Sequence, residues 1–136
     1  MGTPVFIAGP TASGKSAVAL EIAQRLNGEI ISVDSMQVYR GLDLGTAKPT
    51  AEERASVLHH HIDILELTEF FDAARFVART KAIIKKIKAP VFCGGTGLYF
   101  SAWARRIGQS TASERNDAGG IGRCGFGNSR CRIARA

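Results

Sequence analysis

Gly9-Pro10-Thr11-Ala12-Ser13-Gly14-Lys15-Ser16, "GPTASGKS", decides the fold. It matches G-x-x-x-x-G-K-[ST], a loop whose glycines let the backbone turn tightly so that successive N–H groups face phosphate oxygens. The flanking residues agree with that reading. Pro4 to Ala8 is short, apolar and bounded by Gly9-Pro10, the pattern of a buried parallel strand. Ser16 to Leu26 reads as a helix, with Val18, Ile22 and Leu26 along one face, Ala19 and Ala23 beside them, and Asn27-Gly28 as its stop. All eight residues from Gly9 to Ser16 are therefore assigned to diphosphate or nucleotide binding. The helix start adds a positive dipole end. Lys15 supplies a cation, and Ser16 offers a hydroxyl to Mg2+, the expected cofactor. A cradle of this kind does not name its ligand. It suits a nucleoside triphosphate such as ATP, or the diphosphate of another substrate.

Moving outward, Glu29 to Val33 reads as a second strand. Thr50 and Glu53 form a capping box for a short helix over Ala51 to Val57, and Ile62 to Leu65 as a further short strand. Asp72 caps a longer helix, on which Phe76, Val77, Ile83, Ile84 and Ile87 fall near one face. Lysines 81, 85, 86 and 88 crowd its end. Pro90 to Cys93 is the third main strand, leading into "GGTGLYF". Strands alternating with helices predict an α/β, phosphate-loop NTPase-like fold, a parallel sheet with flanking helices. Ligands in such sheets bind beyond the carboxyl ends of the strands, and three polar loops, 9–16, 34–40 and 94–99, are expected to meet there.

The chain has 136 residues, of which 45% are apolar, and a net charge of +6. Nearly all of that charge belongs to one end. Residues 1–100 carry 6 Lys and 5 Arg against 10 acids, whereas residues 101–136 carry 7 Arg and 2 acids. The basic character thus says little about partners of the folded part. The sequence divides into a partial α/β core, 1–100, and a Gly/Arg-rich tail, 101–136, without Leu or Val, which is expected to be disordered or non-native. The tail's composition is also what a shifted reading frame of a GC-rich gene would give. Cys93 reads as a small core residue, and Cys124 and Cys131 have no partners in zinc spacing. Adjacent histidines 59–61 cannot converge on one ion if extended, so no metal is assigned to them. No signal peptide and no apolar run of membrane length is seen, and a cytoplasmic monomer is the expectation.

The polar stretch after the second strand, "DSMQVYRGLDLGTAKP" (Asp34–Pro49), gives the cradle its context. Taken with "GPTASGKS", "HHHIDIL", "DAARFV" and "GGTGLYF" in this order, it resembles bacterial tRNA dimethylallyltransferases (tRNA isopentenyltransferases) over about residues 4–100. The resemblance implies a prenyltransferase of tRNA modification. It would move a dimethylallyl group from dimethylallyl diphosphate to N6 of an adenosine beside the tRNA anticodon. It also implies that the cradle holds the allylic diphosphate, and that Asp34, Ser35, Met36, Gln37 and Thr96 lie at the tRNA site. Asp34, Thr96 and Lys15 then form the catalytic set. Asp34 is the candidate general base, with ordering of Mg2+ through water as the other role open to it. Gln37 carries a donor and an acceptor that suit an adenine edge. Arg40 and Lys48 fit either a phosphate contact or a solvated surface charge. The helical insertion and later arginine motifs of the family are not recognised after Phe100. Three other readings stand beside this one: an adenylate isopentenyltransferase, a small phosphate-loop kinase or ATPase, and a truncated product that binds phosphate without turnover.

Overall fold

The computed structural model describes residues 2–10, 12–116 and 133–135, with only the backbone from residue 109 onward. Its elements are β1 (Val5–Ala8), α1 (Lys15–Leu26), β2 (Glu29–Ser32), α2 (Ala51–Ser56), β3 (His59–His60), α3 (Ala73–Ile84), β4 (Pro90–Gly94), α4 (Gly97–Asn116) and β5 (Ile133–Arg135). They form one parallel sheet in the order β3-β2-β4-β1-β5. The central strand β4 is buried along its whole length, and its register places Ile7 and Ser32 on either side of Cys93. This is the parallel α/β arrangement expected from the alternating pattern.

Two apolar layers cover the sheet. One face packs Phe6, Ile31, Val33 and Phe92 against Phe76 and Ile84 of α3 and Tyr99 and Trp103 of α4. The other packs Ile7, Ile30, Val91 and Cys93 against Ala19 and Ala23 of α1. The buried stripe of α1 is therefore its alanines, while Val18 and Leu26 are exposed. Small side chains let the helix axis come close to the sheet, so the larger residues beside them are left on the rim. That corrects the face expected from the positions of Val18, Ile22 and Leu26.

Local signals held elsewhere. Thr50 Oγ1 accepts from Glu53 N (3.2 Å) while Glu53 Oε2 accepts from Thr50 N (2.7 Å), which completes the capping box. Asp72 Oδ1 caps α3 by accepting from Arg75 N at 2.8 Å. The expected strand at Ile62–Leu65 is replaced by β3 at His59–His60. His61 and Asp63 take left-handed φ of 64° and 51°, so an extended run cannot continue through them. Leu65 makes only an isolated bridge with Tyr39.

The tail expectation is corrected for residues 101–116, which continue α4. Trp103 and Tyr99 are buried on its inner face, and that anchoring compensates for the weak helical pattern beyond Phe100. The readings made on Cys124 and Cys131 fall outside the described residues. No helix among the described residues is long and apolar enough to cross a membrane.

Candidate active site at the strand rim

The phosphate loop takes its shape from two left-handed residues, Ala12 (φ 63°) and Gly14 (φ 79°). Gly14 is the N-cap of α1 and offers no side chain, so the first N–H groups of the helix are left for a ligand. Ser13 Oγ and Lys15 Nζ both donate to the Pro10 carbonyl, at 2.7 and 2.9 Å. Gly9, Pro10, Ala12, Ser13 and Gly14 lie between β1 and α1, Lys15 and Ser16 open α1, and Thr11 lies outside the described residues.

The three polar loops meet at one rim. Ser35 N donates to Thr96 Oγ1 (3.1 Å), and Thr96 N donates to the Val33 carbonyl (3.1 Å). Cys93 Sγ donates to the Lys15 carbonyl at 3.7 Å. The close fit depends on glycine at 94, where a Cβ would lie 2.1 Å from the Val33 carbonyl oxygen. A cavity of about 40 Å³ opens between these loops, and Lys15, Ser16, Asp34 and Gln37 all line it.

Asp34 is held in a tight turn. Its Oδ1 accepts from Met36 N (2.8 Å) and Gln37 N (3.2 Å), and Oδ2 has no hydrogen bond among the described residues. One carboxylate oxygen is used to orient the group and the other remains available as a proton acceptor. The donors facing the same cavity from Ser16 and Asp34 are oxygens, the hard type that Mg2+ prefers, so this chain's residues fit the ion.

Gln37 is placed differently from its expected role. Its Oε1 accepts from Ser32 Oγ (2.7 Å), and its Nε2 donates to the carbonyls of Thr46 (3.0 Å) and Ala47 (3.1 Å). The amide that suited an adenine edge is thus bonded within the protein at both ends. Met36 is 48% exposed beside it, open to a flat apolar partner. Thr96 Oγ1 accepts from Ser35 and keeps its own proton to donate, but Thr96 lies beside the cavity, not in its lining.

Ser32, His59 and Cys93 also line the cavity, and none of them was assigned to the site from the sequence. Ser32 was accessible to such reasoning, because Ile30, Ser32 and Asp34 share one face of an extended strand. His59 was not, since its position depends on the break at His61. His59 Nδ1 donates to the Val57 carbonyl (2.7 Å), and burial lowers its pKa, so the ring is neutral at pH 7 with Nε2 as an acceptor. Burial pushes the Cys93 thiol up to about 11, with Lys15 and Asp34 pulling in opposite directions, which makes it an unreactive neutral donor. The three adjacent histidines diverge: His60 Nε2 meets Glu29 Oε2 at 2.6 Å, and His61 is buried against Phe71 and Phe76.

Residues 37–120 match the family model described as IPP transferase. The chain belongs to the IPP transferase family. The match runs past Phe100 and takes in α4. The tRNA dimethylallyltransferase of Anaeromyxobacter dehalogenans (strain 2CP-C) is 60% identical over 102 residues, covering 72% of this chain and 34% of that protein. Its counterpart in Leuconostoc citreum (strain KM20) is 57% identical over 102 residues, 72% of this chain and 35% of that protein. The chain thus spans about a third of the length of the curated relatives it matches. Among solved structures, the full-length tRNA isopentenylpyrophosphate transferase of Bacillus halodurans superimposes with a TM-score of 0.74 at 40% identity, over 88% of this chain and 44% of that one. A eukaryotic dimethylallyltransferase acting on tRNA gives 0.69 at 35% identity, over 74% of this chain and 26% of that one.

Proposed function

We propose that this chain carries the donor-activating half of a tRNA dimethylallyltransferase site. The observation that carries the reading is that Lys15 and Ser16 of the phosphate loop share one cavity with Asp34, in a chain whose relatives bear that name. In the reaction, the C1–O bond of dimethylallyl diphosphate breaks and its electron pair leaves with pyrophosphate. A bond forms between C1 and N6 of the adenosine, and the N6 proton passes to Asp34 Oδ2. Lys15 and the amides at the start of α1 stabilise the charge that develops on the leaving group. Ser16 would hold Mg2+, which when bound supplies further neutralisation of that charge. Asp34 is oriented by the Met36 and Gln37 amides, so its free oxygen is the base. Met36 offers the everted base an apolar surface. Partners in this reading are tRNA and dimethylallyl diphosphate. A single copy supplies every residue named, in keeping with a monomer acting where tRNA is, in the cytoplasm.

The test is incubation with unmodified tRNA, labelled dimethylallyl diphosphate and Mg2+, with parallel arms containing adenosine monophosphate or ATP alone. Label on tRNA is the expected result. Label on the mononucleotide, or ATP hydrolysis without prenyl transfer, would replace this reading by a nucleotide prenyltransferase or a kinase-like enzyme. Diphosphate binding without turnover in any arm would leave a binding remnant.

A further inference from the structure

The charged cluster behind the Asp34 loop has no part in the chemistry above, and its bonds close a circuit. Lys48 looks from the sequence like a surface or phosphate-binding cation. Its side chain is only 5% exposed. Its ammonium donates to the Tyr39 carbonyl (2.6 Å), Asp43 Oδ1 (2.8 Å) and Asp63 Oδ1 (2.6 Å). An ammonium has three protons, so none is left for a phosphate. Burial alone would disfavour the charge, but the hydrogen bonds to Asp43 and Asp63 outweigh it and raise the pKa of Lys48.

Asp63 returns the connection to the active-site loop. Its Oδ2 accepts from Arg54 Nη1 (2.6 Å), its carbonyl accepts from Arg40 Nε (2.9 Å), and its amide donates to the Gln37 carbonyl (3.0 Å). Gln37 in turn reaches the carbonyls of Thr46 and Ala47, the residues just before Lys48. The ring therefore runs from Gln37 to Ala47, to Lys48, to Asp63 and back to Gln37. The Gln37 amide, which donates to Asp34 Oδ1, sits on that ring.

We infer that Lys48 is a positioning residue: bonded to Asp63, it holds Gln37 and the Asp34 turn in place without touching substrate. For its catalytic consequence the inference rests on the transfer reading above. Its structural content stands apart from that reading and can be measured separately.

The experiment compares the full chain with its Lys48→Met variant by site-resolved amide hydrogen exchange, together with binding of inorganic pyrophosphate and, with tRNA and dimethylallyl diphosphate, kcat and KM. The expected result is exchange roughly tenfold to a hundredfold faster at Gln37 and Asp63, the loss of a hydrogen bond to a charged group, with Ile30 and Val33 of the sheet unchanged. Pyrophosphate affinity and the KM for the diphosphate should hold while kcat falls. Unchanged exchange at Gln37 and Asp63 would overturn the inference, and so would an equal rise at every amide, which marks general stabilisation only. Should Lys48→Met unfold the sheet, Asp43→Asn removes a single arm of the cluster from a carboxylate that is 71% exposed. A several-fold rise confined to Gln37 and Asp63 supports positioning, and no change there overturns it. Absence of transfer by the unaltered chain would sink the transfer reading alone, because the exchange result still decides the role of Lys48.

Discussion

Acid should destabilise this protein through His61, and the size of the effect follows from its surroundings. The ring is 4% exposed, lies edge-on to Phe71 and Phe76, and neither nitrogen has a hydrogen-bond partner meeting good geometry among the described residues. Burial, reinforced by the charges of His60 and Arg79, pulls its pKa down to about 4 against a smaller opposing pull from the Ser32 backbone. In the unfolded chain the ring titrates near its ordinary value of 6.5. Between those two values the unfolded state binds the proton and the folded state does not. Stability is therefore fully present above the unfolded value and is lost as pH falls toward the folded one. A gap of that width corresponds to roughly 3 kcal/mol. The perturbation is His61→Phe, which keeps an aromatic ring and removes the titration. Urea unfolding of both proteins from about pH 7.5 to about 4, which spans that window, gives the difference in stability at each pH. The wild type should lose roughly 3 kcal/mol more than the variant over that interval. His59 also has a lowered pKa, but it is present in both proteins and drops out of the difference. Parallel stability curves would refute the reasoning, since they would mean that the ring charges in place at little cost.

Three further outcomes are expected. Gly94→Ala should lower stability by about 1–3 kcal/mol or more in thermal melting, because the added methyl meets the Val33 backbone, which cannot swing aside. Lys15→Ala should weaken binding of inorganic pyrophosphate by about 10- to 100-fold in titration calorimetry, the loss of a charged hydrogen-bond donor. Asp34→Asn keeps an oxygen for the Met36 and Gln37 amides but loses the base. Pyrophosphate binding should hold while the transfer rate falls by about 10²- to 10⁴-fold.

Much of this was legible from local patterns with a single physical cause. The strand–loop–helix order around Gly9–Ser16, the Thr50–Glu53 box and the Asp72 cap are each decided by residues within a few positions of one another, and all three appear as read. The misreadings came where distant packing decides. Ala19 and Ala23 won the sheet-facing side of α1 because the helix lies close to β4, which periodicity of large side chains cannot reveal. The strand near 62 was displaced because His61 and Asp63 adopt left-handed backbone, and Asp63 does so while bonded to Lys48, Arg54 and Gln37. Gln37 was recognised as a site residue from the motif, but that its amide is tied to Ser32, Thr46 and Ala47 depends on a loop folding back over ten residues. α4 was missed beyond Phe100 because its buried anchors among the described residues, Tyr99 and Trp103, are few.

The order of strands acts as a gauge on what can be processed here. The cradle follows β1 and Asp34 follows β2, with β4 between them. Two interstrand steps separate their points of origin by about 10 Å. In the transfer reading proposed above, a diphosphate held at the cradle and an amine deprotonated at Asp34 must meet across that width, so a bare phosphate occupies one side only. Between the two sides lies Gly94, where the Val33 carbonyl oxygen stands 2.1 Å from where a Cβ would be, so the backbones of β2 and β4 are drawn together at the middle of the rim.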